Sequence, residues 1–382
     1  MSDANDLQPL RAKLDELDRQ LIEVAAKRGE LIQRIARAKR AGGASGKLFD
    51  RGRERDVYAR ARANASELGV SDRLAEELMG VLVEHSQRVQ ENLVKAEADP
   101  PAQALEVLVV GGAGRMGRRF VQALTARGHD VKILDPAAEG GTPEYSELVP
   151  GADIVMIAVP MAFAVEVAHE VGPLVRPDAL LCDINSLKED ICAEMLETCA
   201  GSCVGLHPMF GPSVHSLRRQ KVVYCPLRPG KHGPWLRSEL ERIGLEVIES
   251  TPQEHDRMMA VVQVLVHFST LVMGHALRRF GIGVARSLAF TSPIYRLELA
   301  FVGRLFAQDP KLYAEIEMQN PHGAAARKAF LEAASNLDAT IGANDRDAFA
   351  AAFSETRDYF QDFAGEAMSL SDRIIDTLVR QP

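Results

Sequence analysis

Apolar residues at Leu7, Leu10, Leu14, Leu17, Leu21, Val24, Leu31 and Ile35 recur at alternating steps of three and four, broken only between Val24 and Leu31. That spacing gathers them into one seam of a long helix from Leu7 to about Lys39. At the skipped position stands Arg28, and Lys39, about three turns further on, projects from nearly the same face. Arg28 is either a snorkelling or register-setting residue or one of two cations aimed inward. After the glycine-rich break at Gly42 to Gly46, a second helix opens near Asp50 with Arg53, Glu54, Arg55 and Asp56. A third, from about Asp72, carries Ser86 and Gln90 one turn apart, on a face that is either functional or simply solvated. Three helices of unequal length expose too much seam for one copy, so the pattern predicts pairing with a second protomer.

Pro100 and Pro101 close a linker that begins at Glu91, and the period then changes. Leu105 to Gly117, LEVLVVGGAGRMG, runs apolar without alternation into glycines, as a strand buried on both faces does when it enters a tight turn. A helical stretch from Arg118 to Arg127 stops at Gly128. Strands follow at Asp130 to Leu134, Asp153 to Val159, Ala179 to Asp183 and near Val204, with a helix around Ala162 to Val171. This βα alternation predicts a doubly wound sheet that ends near Ser250. From about Gln253 the pattern is helical throughout, and HDRMMAVVQVLVHFSTLVMGHAL is apolar enough for a subunit interface.

Gly112, Gly114 and Gly117, with Arg115 and Met116 between them, spell G-x-G-x-x-G. In a dinucleotide-binding turn the first glycine makes the bend, the second admits a pyrophosphate and the third lets helix and strand pack closely; a purely structural βα turn is the alternative. Asp135 ends the next strand roughly 20 residues on, where an acid accepts hydrogen bonds from the ribose hydroxyls of NAD and repels the 2′-phosphate of NADP. In DINSLKED, Ser186 is either a site residue or the first member of an S-x-x-E capping box with Glu189. In GLHPMFGP, His207 sits on a rigid strand-to-loop junction, suited to accept a proton from a hydroxyl losing hydride or else merely packed. His255 and His267, within the apolar helix, read as packing or interface residues. Ser292 as N-cap and Pro293 at the first helical position put Arg296 in a first turn, where a cation is disfavoured unless it binds a carboxylate.

With 382 residues there is room for two or three domains. A net charge of -8 argues against a nucleic-acid surface, which gives the inward cations more weight. No signal-like N-terminus and no uninterrupted 18-residue apolar run are present, so the expectation is a cytoplasmic protein with no membrane contact. The five cysteines make no disulfide framework, and glycines interrupt the Cys199, Cys203, His207 spacing, so no metal is expected.

The helical module resembles the all-helical class of chorismate mutase in LRAKLDELD (Leu10 to Asp18), AKR (Ala26 to Arg28), Lys39, RERD (Arg53 to Asp56) and the Ser86/Gln90 pair, although the segment from Lys39 to Asp50 is longer than the commonest family pattern. That resemblance implies a chorismate site made of Arg11, Arg28, Lys39, Asp50, Arg53, Glu54, Ser86 and Gln90. The blocks GGAGRMG, DINSLK, GLHPMFGP and SPIYRLELAFVGRLFAQDP resemble prephenate dehydrogenase. The order of modules resembles the bifunctional chorismate mutase/prephenate dehydrogenase family of tyrosine biosynthesis. The resemblance implies a multidomain chain: an all-α three-helix chorismate mutase module (1–98), an α/β Rossmann domain (104–252) and an all-α C-terminal substrate-binding and dimerisation domain (253–382). It further implies His207 and Ser186 as catalytic residues, and Arg296, Lys188 and His267 as substrate-binding residues. NAD would be the cofactor, tyrosine the feedback inhibitor, and the protein a homodimer. Two rivals remain: a dehydrogenase whose N-terminal module is inactive and serves dimerisation or regulation, and an NAD-sensing protein without turnover.

Overall fold

The N-terminal seam folds as one helix, α1 (Ala4–Ala41), followed by α2 (Arg51–Leu68) and α3 (Asp72–Ala96). The computed structural model describes residues 4–41, 51–96, 104–135, 145–214 and 216–380. It forms two compact units: one built on these three helices, the other on the chain from Ala104 onward apart from the turn Ala126–Gly128. In the first unit α3 packs against both α1 and α2. Among the described residues of α1, Gly29 is the buried one, facing His85 of α3. Leu10, Leu14, Leu17, Leu21, Val24, Leu31 and Ile35 are all exposed, so the seam that makes α1 a helix is left uncovered by its own chain.

The second unit opens on a seven-stranded sheet of order β2-β1-β3-β4-β5-β6-β7. Its first half alternates β1 (Glu106–Val110), α4 (Arg115–Ala126), β2 (Asp130–Leu134), a short α5 (Tyr145–Leu148), β3 (Ile154–Ile157), α6 (Met161–Val171), β4 (Leu180–Asp183), α7 (Glu189–Thr198) and β5 (Ser202–Pro208). These five strands are parallel, and every residue of β1, β3, β4 and β5 except Glu106 is buried, which is why their sequences show no alternation. Then come β6 (Lys221–Arg228), antiparallel to β5, α8 (His232–Ile243) and β7 (Glu246–Glu249), parallel to β6. Phe120 and Leu124 of α4 and Leu236 and Leu240 of α8 cover one face; Ala164, Val167, Ala168 and Val171 of α6 with Ile191 and Met195 of α7 cover the other. Each of the larger side chains among these, Phe, Leu, Ile, Val or Met, contributes about 1.5–3 kcal/mol through burial.

A continuous helical run, Pro252–Phe280, follows. It comprises α9 (Pro252–Met259), a π-helical stretch (Ala260–Leu265) and α10 (Val266–Phe280). By length and composition alone this run is apolar enough to cross a membrane, although Gln263, His267, Ser269 and Thr270 interrupt its apolar sequence. Then come α11 (Val284–Leu288), α12 (Pro293–Phe306), α13 (Pro310–Gln319), α14 (Gly323–Gly342), α15 (Arg346–Phe360) and α16 (Phe363–Arg380). The π stretch packs against α13 and α14, α9 meets α7, and α12 lies on α10 and α16.

Candidate active site

In the helical unit, Arg28 projects from α1 onto α3, where its guanidinium donates to the Leu82 carbonyl at 2.8 Å and to the Ser86 hydroxyl. Ser86 is buried and donates onward to Leu82 O, so it stands on the inner face of α3. Desolvation lowers the pKa of Arg28 from the usual arginine value. A half-buried guanidinium beside a hydroxyl, with no carboxylate among its described partners, suits an anionic ligand. Arg11 is exposed on the same helix, 17 residues earlier, which is roughly 26 Å along the axis. It therefore lies beyond reach of Arg28's pocket within one chain. Asp50 lies outside the described residues, as do the side chains of Lys39, Arg53, Glu54 and Gln90.

In the second unit the strand order reverses between β1 and β3, and the glycine turn follows β1 at that reversal, where open α/β sheets bind ligands. The motif assigns the bend to Gly112, but the structure moves it one residue earlier. Gly111 has φ 85°, and a Cβ there would lie 2.6 Å from Ala158 O. Gly117 does what the motif requires: a Cβ would run into the Gly111 carbonyl, so only glycine lets α4 sit this close to the strand. Asp135, at the end of β2, accepts the Ala113 N–H at 2.9 Å and so ties the turn to the acid. Bare backbone at Gly112 and Gly114, the exposed Arg115 and half-buried Met116 at the start of a twelve-residue helix, and the Asp135 carboxylate together fit a dinucleotide's pyrophosphate and ribose.

On the same edge of the sheet, β4 ends at Asp183 and β5 presents His207. His207 is buried, and its Nδ1 lies 2.8 Å from His255 Nε2 on α9. His255 Nδ1 lies 2.7 Å from Asp256 Oδ1. The Asp256 carboxylate also accepts the backbone N–H groups of Lys188 and Glu189, each at 2.9 Å, at the start of α7. On the other side of His207, the amide nitrogen of Gln263, in the π stretch, is 3.4 Å from Nε2. Burial first, then the electrostatic influence of His255 and Lys188, holds the imidazolium of His207 well below the usual histidine range. The ring is therefore neutral at neutral pH and able to accept a proton.

One alternative falls here and one expectation is corrected. Ser186 does not cap α7: the helix begins at Glu189 without a local side-chain cap, and Asp256, from another helix, supplies the acceptor instead. Ser186 remains half-buried in the β4–α7 loop. Lys188 is not presented to a ligand, because its side chain is wholly buried and its ammonium bonds Asp183. That pair locks the ends of the strand and the loop, and breaking it would strand a buried charge. His255, expected as packing, instead touches the central histidine.

His267 lies one turn beyond Gln263, half-buried, with its ring 4.9 Å from that of Tyr313 and its Nδ1 buried without a partner among the described residues. Arg296 is exposed in the first turn of α12, whose N-cap Ser292 accepts from Tyr295 N–H as the sequence predicts. Among the described residues no hydrogen bond or ion pair joins Arg296 to the His207 cluster. The signal that sequence reading passed over was the adjacent His255–Asp256 dipeptide: a titratable pair opening an otherwise apolar helix.

Family models match in the same order as these units. Chorismate mutase type II matches residues 10–91, the nucleotide-binding domain of prephenate dehydrogenase 131–243, and its dimerization domain 251–355. The chain is 32% identical to the T-protein of Haemophilus influenzae, covering 98% of each chain, and 35% identical to the T-protein of Enterobacter agglomerans, covering 94% of each. The fold is similar to that of A. aeolicus prephenate dehydrogenase crystallised with hydroxyphenyl propionate and NAD+ (TM-score 0.56, 20% identity, 71% of this chain and 99% of that one).

Proposed function

The chain belongs to the T-protein family, and from that membership and the geometry above we infer that it carries two consecutive activities. The first rearranges chorismate to prephenate; the second oxidatively decarboxylates prephenate to 4-hydroxyphenylpyruvate with NAD, in tyrosine biosynthesis. The observation that carries the reading is the placement of a neutral, buried His207 on the same sheet edge as the glycine turn, in a chain that also brings Arg28 onto Ser86.

For the rearrangement, this chain's residues need only compress a flexible dianion and stabilise charge on the departing ether oxygen. Arg28 and Ser86, with Lys39, Arg53, Glu54, Asp50 and Gln90, would form that cage, and Arg11 would enter from the antiparallel α1 of a second copy. For the oxidation, Gly112, Gly114, Arg115, Met116, Gly117 and Asp135 would hold NAD, which supplies the hydride acceptor when bound. His207 takes the 4-hydroxyl proton at Nε2 while hydride leaves the carbinol carbon. It returns that proton to the phenolate oxygen once the ring carboxylate has departed as CO2. Arg296 and His267 would hold the substrate's carboxylate and side chain, and Ser186 would line the site. The exposed apolar faces of α1 and of the Pro252–Phe280 run would be covered by a second copy, making a cytoplasmic homodimer, and tyrosine would act as feedback inhibitor.

An absorbance assay on chorismate alone, with and without NAD, tests both activities. Chorismate loss should proceed without NAD, and NADH should accumulate only when NAD is added. If NADH forms from prephenate but chorismate is stable, the N-terminal module is a dimerisation or regulatory element instead.

A further inference from the structure

The proton inventory around His207 can be completed from the carboxylate outward. Asp256 accepts two backbone N–H groups at the start of α7 as well as facing His255 Nδ1, and a carboxylate carries no proton to give. His255 Nδ1 must therefore be the donor in that contact. In the neutral ring the lone pair then falls on Nε2, which faces His207 Nδ1 at 2.8 Å. His207 Nδ1 donates, and its own lone pair falls on Nε2. The amide nitrogen of Gln263, a donor, faces that same Nε2 at 3.4 Å, an independent sign that Nε2 is the accepting atom.

We propose that His255 and Asp256 are positioning residues that fix the tautomer of His207, so that its Nε2 is always the proton acceptor in the dehydrogenase reaction. The proposal rests on His207 being the residue that acts on the hydroxyl. The dyad does more than orient a ring. Asp256 is itself held by the α7 amides, and Asn320 on the α13–α14 turn donates its side-chain N–H to the Asp256 carbonyl at 2.9 Å. The direction of every proton in the chain is thus referred to the backbone N–H groups at the start of α7, while Asn320 anchors the backbone of Asp256. As His207 Nε2 takes the substrate proton, positive charge develops in the ring, and the His255–Asp256 dyad lies on the side from which it can be stabilised. No proton need leave the chain of rings, because the one accepted at Nε2 goes back to the product oxygen.

Asp256→Asn reverses the inventory. An asparagine amide that donates to His255 Nδ1 forces His255 Nε2 to donate, His207 Nδ1 to accept and His207 Nε2 to carry hydrogen. Full-length protein carrying this change should keep its Michaelis constants for prephenate and NAD while kcat of the dehydrogenase falls on the order of 10²–10⁴-fold. In 15N-histidine-labelled protein the His207 Nε2 resonance should move from the lone-pair type to the N–H type. His255→Gln, whose side-chain oxygen can accept from His207 Nδ1, should retain far more of kcat than His255→Leu. That comparison decides the matter even if Asp256→Asn folds poorly. If His207→Asn loses the rate while Asp256→Asn and both His255 variants keep theirs, the positioning role is wrong. Should His207→Asn itself keep the rate, the reading of His207 as the proton acceptor fails instead.

Discussion

Strand β3 and helix α1 are both written in aliphatic residues, yet Ile154, Val155, Met156 and Ile157 are at most 1 % exposed while Leu10, Leu14, Leu17 and Leu21 are 57 to 61 % exposed. The strand is closed over by α4 and α8 on one face and α6 and α7 on the other; among its described residues the helix finds cover only between Ala25 and Gln33, where Gly29 and Arg28 meet α3. A site standing on a finished core can assemble its groups from one chain, as His207, His255 and Asp256 do. One standing on an open seam would, on the function proposed above, be finished by another copy, with Arg11 and Arg28 sharing a helix but not a pocket.

The largest effect should come from placing one charge in each region. Val155→Asp buries an unpaired carboxylate in the sheet, at a cost of several kcal/mol against a total stability of about 5–15, and should abolish the folded dehydrogenase as read by circular dichroism and soluble yield. Leu17→Asp, on the open seam, should leave the dehydrogenase rate intact while mutase activity is lost together with pairing of the N-terminal helices. If both activities survived Leu17→Asp, the open seam would have no part in the mutase site. Next in size, His207→Asn should reduce the dehydrogenase on the order of 10²–10⁴-fold without touching the mutase. Because burial and nearby positive charge hold the His207 imidazolium down, its neutral, accepting form persists as pH falls past the ordinary histidine midpoint. The acid limb of a kcat profile should therefore lie below about 6.5. A limb at or above that midpoint would mean a different group is titrating.

Asp135→Asn should narrow the preference for NAD over NADP by about tenfold, since the amide can still accept from Ala113 N–H but no longer repels a 2′-phosphate. Equal use of both cofactors by the unmutated protein would count against Asp135 as the discriminating group. The smallest signal sharpens the other side of the comparison. Arg11→Ala and Lys39→Ala chains, each inactive alone, should on mixing regain about a quarter of the wild-type mutase sites, because half the dimers are mixed and each holds one intact site of two. Heterodimers seen by mass spectrometry without recovered activity would put the whole site in one chain.

What was legible in the sequence tracks how local its cause is. The β1–α4–β2 unit reads directly because glycines, strand and acid lie within one short stretch, and the seam of α1 reads because its period repeats along the whole helix. Even there the bend fell on Gly111 rather than Gly112, since the deciding contact is with Ala158, on the loop after β3. Strands β6 and β7 were not anticipated: short segments flanking α8 show no period strong enough to distinguish an antiparallel extension from a loop. The capping-box alternative for Ser186 fails for a similar reason. Ser186 and Glu189 satisfy a local rule, but a carboxylate 67 residues beyond Glu189 takes the same amides. His207 was visible from its loop, whereas His255 was not, because a histidine opening an apolar helix looks like filler until the fold brings the two rings together.

The π-helical stretch Ala260–Leu265 makes the Pro252–Phe280 run unusually sensitive to a change in the number of its residues. A wide turn of this kind accommodates a surplus residue inside an otherwise regular helix. Deleting one codon there would leave a helix that is, if anything, more regular and no less apolar. Because the wide turn would relax to an ordinary one, everything downstream would keep nearly its present direction, while inside the stretch Gln263 would lose the place it holds beside His207. The helix would survive the deletion and the contact of Gln263 with His207 would not, so residue number and site geometry are coupled here through a single irregular turn.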